Sequence, residues 1–194
     1  MKVVGLTGGI GSGKTQILNE FERLGIPVFN ADREARKLME QDTALKNEIK
    51  TKFGKIVFDG AILNRKKLAE IVFSDSSKLT LLNEIVHPRV RNAFELFKEK
   101  NSDLAPYIIK EAAILFESGG WKNCDKTILV CAPVGVRLER VMKRDGTGRN
   151  EVLARMDKQW PDEKKIPMAD FVIHNTDWTQ TQLKISKLHQ VLSS

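Results

Sequence analysis

The chain changes its hydrophobic period several times, and each change marks an element. Val3 to Leu6 is an unbroken apolar run of β type directly after the first residues. From Gln16 to Leu24 the period lengthens to that of a helix, with Ile17, Leu18, Phe21 and Leu24 on one face and Gly25 where a C-cap belongs. Ile26-Pro27-Val28-Phe29 returns to strand character and runs into Asn30-Ala31-Asp32. Residues 33–101 then carry helical stripes and no convincing core strand. Ala35, Leu38 and Met39 form one stripe, and Leu68, Ile71 and Val72 another behind Asn64-Arg65. Leu79, Leu82, Ile85 and Val86 form a third, which His87-Pro88 is expected to interrupt before Val90, Phe94 and Phe97 resume it.

Pro106 to Ala113 is a third strand, nearly continuous in apolar residues, as a strand covered on both faces should be. Lys126 to Ala132 is a fourth, ended by Pro133, and Asp170 to Asn175 a fifth. Between these last two, Val136, Leu138, Val141 and Met142 predict a helix, and Asp145-Gly146-Thr147-Gly148 a break. A second helix is predicted over Glu151 to Trp160, and a final amphipathic one carries Leu183, Ile185, Leu188 and Leu192. This order predicts an α/β protein with a five-stranded parallel sheet in a three-layer arrangement. The expected division is a core of residues 1–32, 102–136 and 161–194, a helical insert at 33–101 and a helical lid at 137–160.

Composition adds bounds. A chain of 194 residues with 41% hydrophobic content suits one domain with its own core. No stretch approaches the ~18 consecutive apolar residues of a membrane span, and the first strand leaves no signal-peptide core. Cys124 and Cys131 lack metal-ligand spacing and read as free thiols of a reducing cytoplasm. The net charge of +7, from 32 basic and 25 acidic residues, suits either nucleic acid or a small polyanion. A single tyrosine and no interleaving of basic with aromatic residues favour the small polyanion.

The chemistry concentrates between the first strand and the first helix. Gly8-Gly9-Ile10-Gly11-Ser12-Gly13-Lys14-Thr15 has the spacing G-x-x-x-x-G-K-[ST], with the strand before it and the helix after it that the motif requires. Such a loop brings backbone N–H groups to an anion at a helix N-terminus. Its lysine reaches β- and γ-phosphates, and Thr15 offers a hydroxyl to Mg²⁺. Asp32 follows the second strand at the edge where ligands of parallel sheets collect, suited to take a proton or to cap the next helix. Glu111 stands near the end of the third strand, where an acidic residue could orient Mg²⁺. Arg137, Arg140 and Arg144 recur at i, i+3 and i+7, which predicts guanidiniums stacked on one helix face for a transferring phosphoryl group. His87 reads as a hinge or cap.

The ordered set of motifs resembles the dephospho-coenzyme A kinase family from end to end. It rests on Gly5-Leu6-Thr7-Gly8-Gly9-Ile10-Gly11-Ser12-Gly13-Lys14, Ala31-Asp32 with Ala35-Arg36, and His87-Pro88 with Val90-Arg91. Leu115-Phe116-Glu117, Arg144-Asp145-Gly146, Ala154-Arg155-Met156 with Gln159, and Ala169 to Asn175 complete it. The resemblance implies transfer of the ATP γ-phosphoryl group to the ribose 3′-hydroxyl of dephospho-CoA, the last step of coenzyme A synthesis. It implies ATP contacts from Gly9, Gly11, Ser12, Gly13, Lys14, Thr15 and Gln16, with Thr15 on Mg²⁺. Asp32 matches the family's proposed base, and Lys14, Arg140 and Arg144 the groups on the transferring phosphoryl. Asp32, Arg36, His87, Leu115 and Phe116 are the implied acceptor contacts, and 33–101 the acceptor subdomain.

The expected partners are ATP and dephospho-CoA, with neither nucleic acid nor membrane, in a cytoplasmic monomer or weak homo-oligomer. Three positions depart from the family pattern. Gln16 replaces a second hydroxyl after the lysine, Asn30 replaces the first of an aspartate pair, and Glu111-Ala112-Ala113 replaces Asp-x-Pro. A nucleoside or nucleoside-monophosphate kinase would share loop, sheet and lid. A guanine-nucleotide switch would carry Asn-Lys-x-Asp, which is absent.

Overall fold

In the computed structural model, which describes residues 1–194, the apolar run at the N-terminus becomes β1 (Lys2–Gly8), buried from Val3 onward. The loop after it enters α1 (Lys14–Arg23), whose Ile17, Leu18 and Phe21 are buried. Leu24 does not join that face. It is the cap residue, half turned to solvent, because Gly25 (φ +79°) reverses the chain and lets Ile26 N–H donate back to Phe21 O at 3.1 Å. β2 (Val28–Asn30) follows.

Residues Ala31–Glu99 form a compact unit of their own. It comprises α2 (Ala31–Gln41), α3 (Thr43–Phe53), a two-stranded hairpin of β3 (Phe58–Asp59) and β4 (Ile62–Leu63), α4 (Arg65–Ser74), and nearly all of α5 (Ser76–Lys100). Leu45, Ile49, Val57, Leu68, Val72, Ile85 and Val86 make its core. Side-chain caps on α3 and α4 come from Asp42 and Asn64, each accepting an N–H three residues on. The interruption expected at His87-Pro88 does not occur, for α5 runs through Pro88. Pro88 supplies no N–H to that turn, and beside it the Arg89 guanidinium donates to the Ile85 carbonyl at 2.8 Å. Arg89 also pairs with Glu48 at 3.0 Å, tying α5 to α3.

The other unit is Met1–Asn30 with Lys100–Ser194. It adds β5 (Tyr107–Glu111), β6 (Lys126–Cys131), α6 (Val134–Asp145), α7 (Arg149–Met156), the short α8 (Asp162–Lys165), β7 (Phe171–His174) and α9 (Trp178–Ser193). The sheet is five-stranded, ordered β2-β5-β1-β6-β7, and every pairing is parallel. Its strands alternate between two covered faces. Ile128 and Val130 pack with Phe21, Ile185 and Leu188, whereas Leu129 and Cys131 pack with Phe116. The fold is a three-layer α/β fold.

Two boundaries differ from the sequence reading. The second helix behind the fourth strand spans Arg149–Met156 and not Glu151–Trp160. In α9 the inward stripe is Thr181, Ile185, Leu188 and Leu192, while Leu183 is 54% exposed. Residue 183 lies two positions, about 200°, around the helix from Thr181. Threonine is tolerated at that inward place because its hydroxyl donates to Asp177 O at 2.7 Å, with Asn175 Oδ1 3.3 Å away.

Candidate active site

Register places the site. Leu6 lies opposite Glu111 and Gly8 opposite Val130, so the glycine loop leaves the carboxyl edge of the central strand. Gly11 (φ +79°) and Gly13 (φ +93°) take the left-handed backbone that the turn requires. Ser12 N–H closes the turn on Gly9 O at 3.0 Å. Gly13 is the N-cap of α1; no side chain caps that helix, and its first turn holds no acidic residue. Gln16 and Ile17 N–H donate to Gly13 O at 3.1 and 3.3 Å, and the positive end of the helix dipole faces the loop, an arrangement suited to an anion. Lys14 Nζ lies within the loop, donating to Gly8 O at 2.6 Å.

Side chains from distant segments grip this loop. Arg137, 7% exposed, donates from Nε to Ile10 O at 3.0 Å, and its NH1 lies 3.5 Å from Asp162. Gln159 accepts from Ile10 N–H at 2.8 Å and donates to Ala113 O at 3.0 Å. Arg140 donates to Asn175 O at 3.0 Å and stands 3.5 Å from Ser12 O. Asn175, buried, donates from Nδ2 to Ser12 O at 2.9 Å. The packing explains the small residues: a Cβ on Gly9 would lie 2.4 Å from the Arg137 guanidinium, and one on Gly13 would lie 2.1 Å from Asn175 Nδ2.

A model of the dephospho-CoA kinase family matches residues 2–180. The chain belongs to the dephospho-CoA kinase family. It is 39% identical to the dephospho-CoA kinase of Chlorobaculum tepidum over 198 residues, covering 99% of this chain and 94% of the relative. Its fold is similar to that of TT1252 from Thermus thermophilus, with a TM-score of 0.90 and 36% identity over 100% of this chain and 98% of the other. The dephospho-CoA kinase of Campylobacter jejuni is similar at a TM-score of 0.71 and 28% identity, again over 100% and 98%.

Of the residues expected from the sequence to contact ATP, Gly9, Gly11, Ser12, Gly13 and Lys14 form the loop, and Thr15 and Gln16 stand exposed on the first turn of α1. The Ser12 side chain is buried, with no hydrogen-bond partner for its hydroxyl. The three arginines of α6 do not act as one stack. Arg137 and Arg140 reach back to carbonyls of the glycine loop, whereas Arg144 is exposed and bound to Asp145 at 2.6 Å. Arg155 joins Asp145 at 2.8 Å, and the Arg144 and Arg155 guanidiniums hold its carboxyl far below the usual carboxylate range. A carboxylate next in sequence captures the third guanidinium.

Leu115 and Phe116 are buried side chains, Leu115 beneath Gly5 and Phe116 against Trp121 and Leu129. They shape their segment from below, and Ile114 is the side chain it exposes, at 44%. Asn30 and Glu111 are register partners at the carboxyl edge of the sheet, and Glu111 is buried. In the helical unit, Asp32 and Arg36 are exposed on α2 and His87 is exposed on α5.

The sequence reading gave no role to Asn175 or Gln159, and it assigned Arg137 to the phosphates. A polar residue closing an apolar strand, as Asn175 closes Phe171 to His174, is the available signal, because a buried amide needs partners. Behind Arg137 lies a further charged group. Lys165 is 1% exposed, 3.4 Å from Asp162, on the side of the sheet where Cys131 is buried. Burial, with the Asp162 carboxylate nearby, pushes the Cys131 thiol up to about 12.

Proposed function

We propose that this protein transfers the γ-phosphoryl group of ATP to the ribose 3′-hydroxyl of dephospho-CoA, giving coenzyme A and ADP. The observation that carries the reading is an uncapped helix N-terminus behind a glycine loop with Lys14 folded into it, in a chain of this family. Gly9, Gly11, Ser12, Gly13, Lys14, Thr15 and Gln16 take the ATP phosphates, through loop backbone N–H groups and the Lys14 ammonium. Thr15 presents an exposed hydroxyl oxygen, the hard neutral donor that suits Mg²⁺, and is the residue that would hold it. When bound, Mg²⁺ supplies charge neutralisation on the β- and γ-phosphates.

Asp32 accepts the proton of the 3′-hydroxyl as its oxygen bonds to the γ-phosphorus and the bond to the β-phosphate oxygen breaks. Lys14 and Arg140 offset charge on the transferring group, and Arg144 joins them by leaving Asp145. Because the transition state is loose, positioning and electrostatics supply most of the acceleration. Residues 33–101 receive the acceptor, with Arg36 and His87 as contacts, and Leu115 and Phe116 belong to a further motif assigned to it by the family resemblance. Residues 137–160 act as a lid that excludes water, which would otherwise divert ATP to hydrolysis. The working form is a cytoplasmic monomer or weak homo-oligomer that binds no nucleic acid. No helix is long and apolar enough to cross a membrane.

The test is ADP release from purified protein with Mg-ATP and, in parallel, dephospho-CoA, adenosine, AMP or no acceptor. Turnover confined to dephospho-CoA supports the reading. Turnover with AMP or adenosine instead would replace the acceptor and keep the phosphate site.

A further inference from the structure

The backbone of Ile10, in the middle of the glycine loop, is held at both its N–H and its carbonyl, which belong to two successive peptide groups. Its N–H donates to Gln159 Oε1 at 2.8 Å, and its carbonyl accepts from Arg137 Nε at 3.0 Å. Neither partner is local, since Gln159 is 149 residues away in sequence and Arg137 is 127. Gln159 uses its other end as well, with Nε2 donating to Ala113 O at 3.0 Å. The amide orientation is fixed by these two partners, because the reversed amide would set N–H against N–H and C=O against C=O. One residue further on, Trp160 N–H donates to Glu117 Oε1 at 3.0 Å, which anchors the backbone that carries Gln159.

We propose that Gln159 is a positioning residue for phosphoryl transfer, a two-ended strap that fixes the middle of the glycine loop against the segment following β5. Ile10 N–H is committed to this strap and withdrawn from anion binding, as Ser12 N–H is by Gly9 O, so the phosphates are served by other groups of the loop. With the peptide groups on both sides of Ile10 pinned, one by its N–H and the next by its carbonyl, the direction of the following amides is set before ATP arrives. The strap also joins the donor side to the 113–117 segment, so it governs alignment more than affinity. Misplacement of reacting groups by about 1 Å can cost about 100-fold in rate. The inference for catalysis rests on the reaction proposed above; the strap itself does not.

The experiment uses the full chain with Gln159→Met, which keeps the reach and removes both hydrogen bonds. Amide hydrogen exchange at Ile10, read by NMR without substrates, is expected to speed up at least tenfold, with neighbouring α1 amides unchanged. With Mg-ATP and dephospho-CoA, kcat is expected to fall about 10- to 100-fold, and ADP affinity by less than fivefold. Arg137→Lys releases the adjoining peptide at the Ile10 carbonyl, so the effects of the two substitutions on kcat should be less than additive in the double variant. Unchanged Ile10 exchange, or a kcat within twofold of the parent, overturns the proposal. So does full additivity of the two substitutions. If Gln159→Met does not fold, Gln159→Asn, too short to span both partners, is read by the same criteria. A parent protein inactive on dephospho-CoA would instead overturn the reaction assignment, and Ile10 exchange would still decide the strap.

Discussion

Gly13→Ala separates two costs that the structure places at one atom. An alanine held at φ +93° in the left-handed region costs about 1–2 kcal/mol. Its Cβ would also lie 2.1 Å from Asn175 Nδ2. The amide must therefore swing away, giving up its bond to Ser12 O at 2.9 Å. A buried carbonyl stripped of its main donor costs about 1–3 kcal/mol. Together the substitution should destabilise the protein by about 2–5 kcal/mol. In an Asn175→Ala background the second cost has already been incurred, and Gly13→Ala should cost only about 1–2 kcal/mol more. The assay is urea unfolding of the four proteins, with midpoints compared at a common slope. Additivity within about 0.5 kcal/mol would refute the reasoning, because residues in direct contact must couple.

Other expectations follow from the same geometry. Asp32→Asn should slow transfer by about 100- to 10,000-fold while calorimetry finds ATP affinity nearly unchanged; unaltered turnover would remove Asp32 as the base. Lys14→Met should lower kcat by about 100- to 1,000-fold, the loss typical of one preorganised donor on developing charge. Pro88→Ala should restore a backbone hydrogen bond within α5 and raise the melting temperature, and an unchanged melting temperature would show that the turn is already satisfied. The folded state keeps the Cys131 proton that the unfolded chain, at the ordinary thiol value of 9.0, gives up. Stability should therefore fall as pH rises through 9 toward 12, and Cys131→Ala should flatten that decline in unfolding measured across the range.

The parts legible from sequence are those whose signal is local. A parallel strand covered on both faces is a run of apolar residues, and β1, β5 and β6 appear as such. The glycine loop is legible because its amide geometry demands specific residue types at fixed spacing. What escaped depends on contacts made across the chain. Helical spacing sets Arg137, Arg140 and Arg144 near one face, yet it cannot show that the Ile10 carbonyl, 127 residues away, captures the first. Thr181 looked less inward than Leu183 because a threonine carries a weaker apolar signal, although its hydroxyl is satisfied locally on Asp177 O at 2.7 Å. Pro88 is a helix breaker by local rules, and packing of Ile85, Val86 and Phe94 along α5 carries the helix past it.

The central claim, transfer to the 3′ oxygen of dephospho-CoA, is tested most directly by the position of the phosphate in the product. Protein supplied with Mg-ATP and dephospho-CoA should yield one new phosphomonoester whose phosphorus couples to the ribose H3′ in a ³¹P–¹H correlation spectrum. A phosphate coupled to another ribose position, or free inorganic phosphate with dephospho-CoA recovered intact, would contradict it.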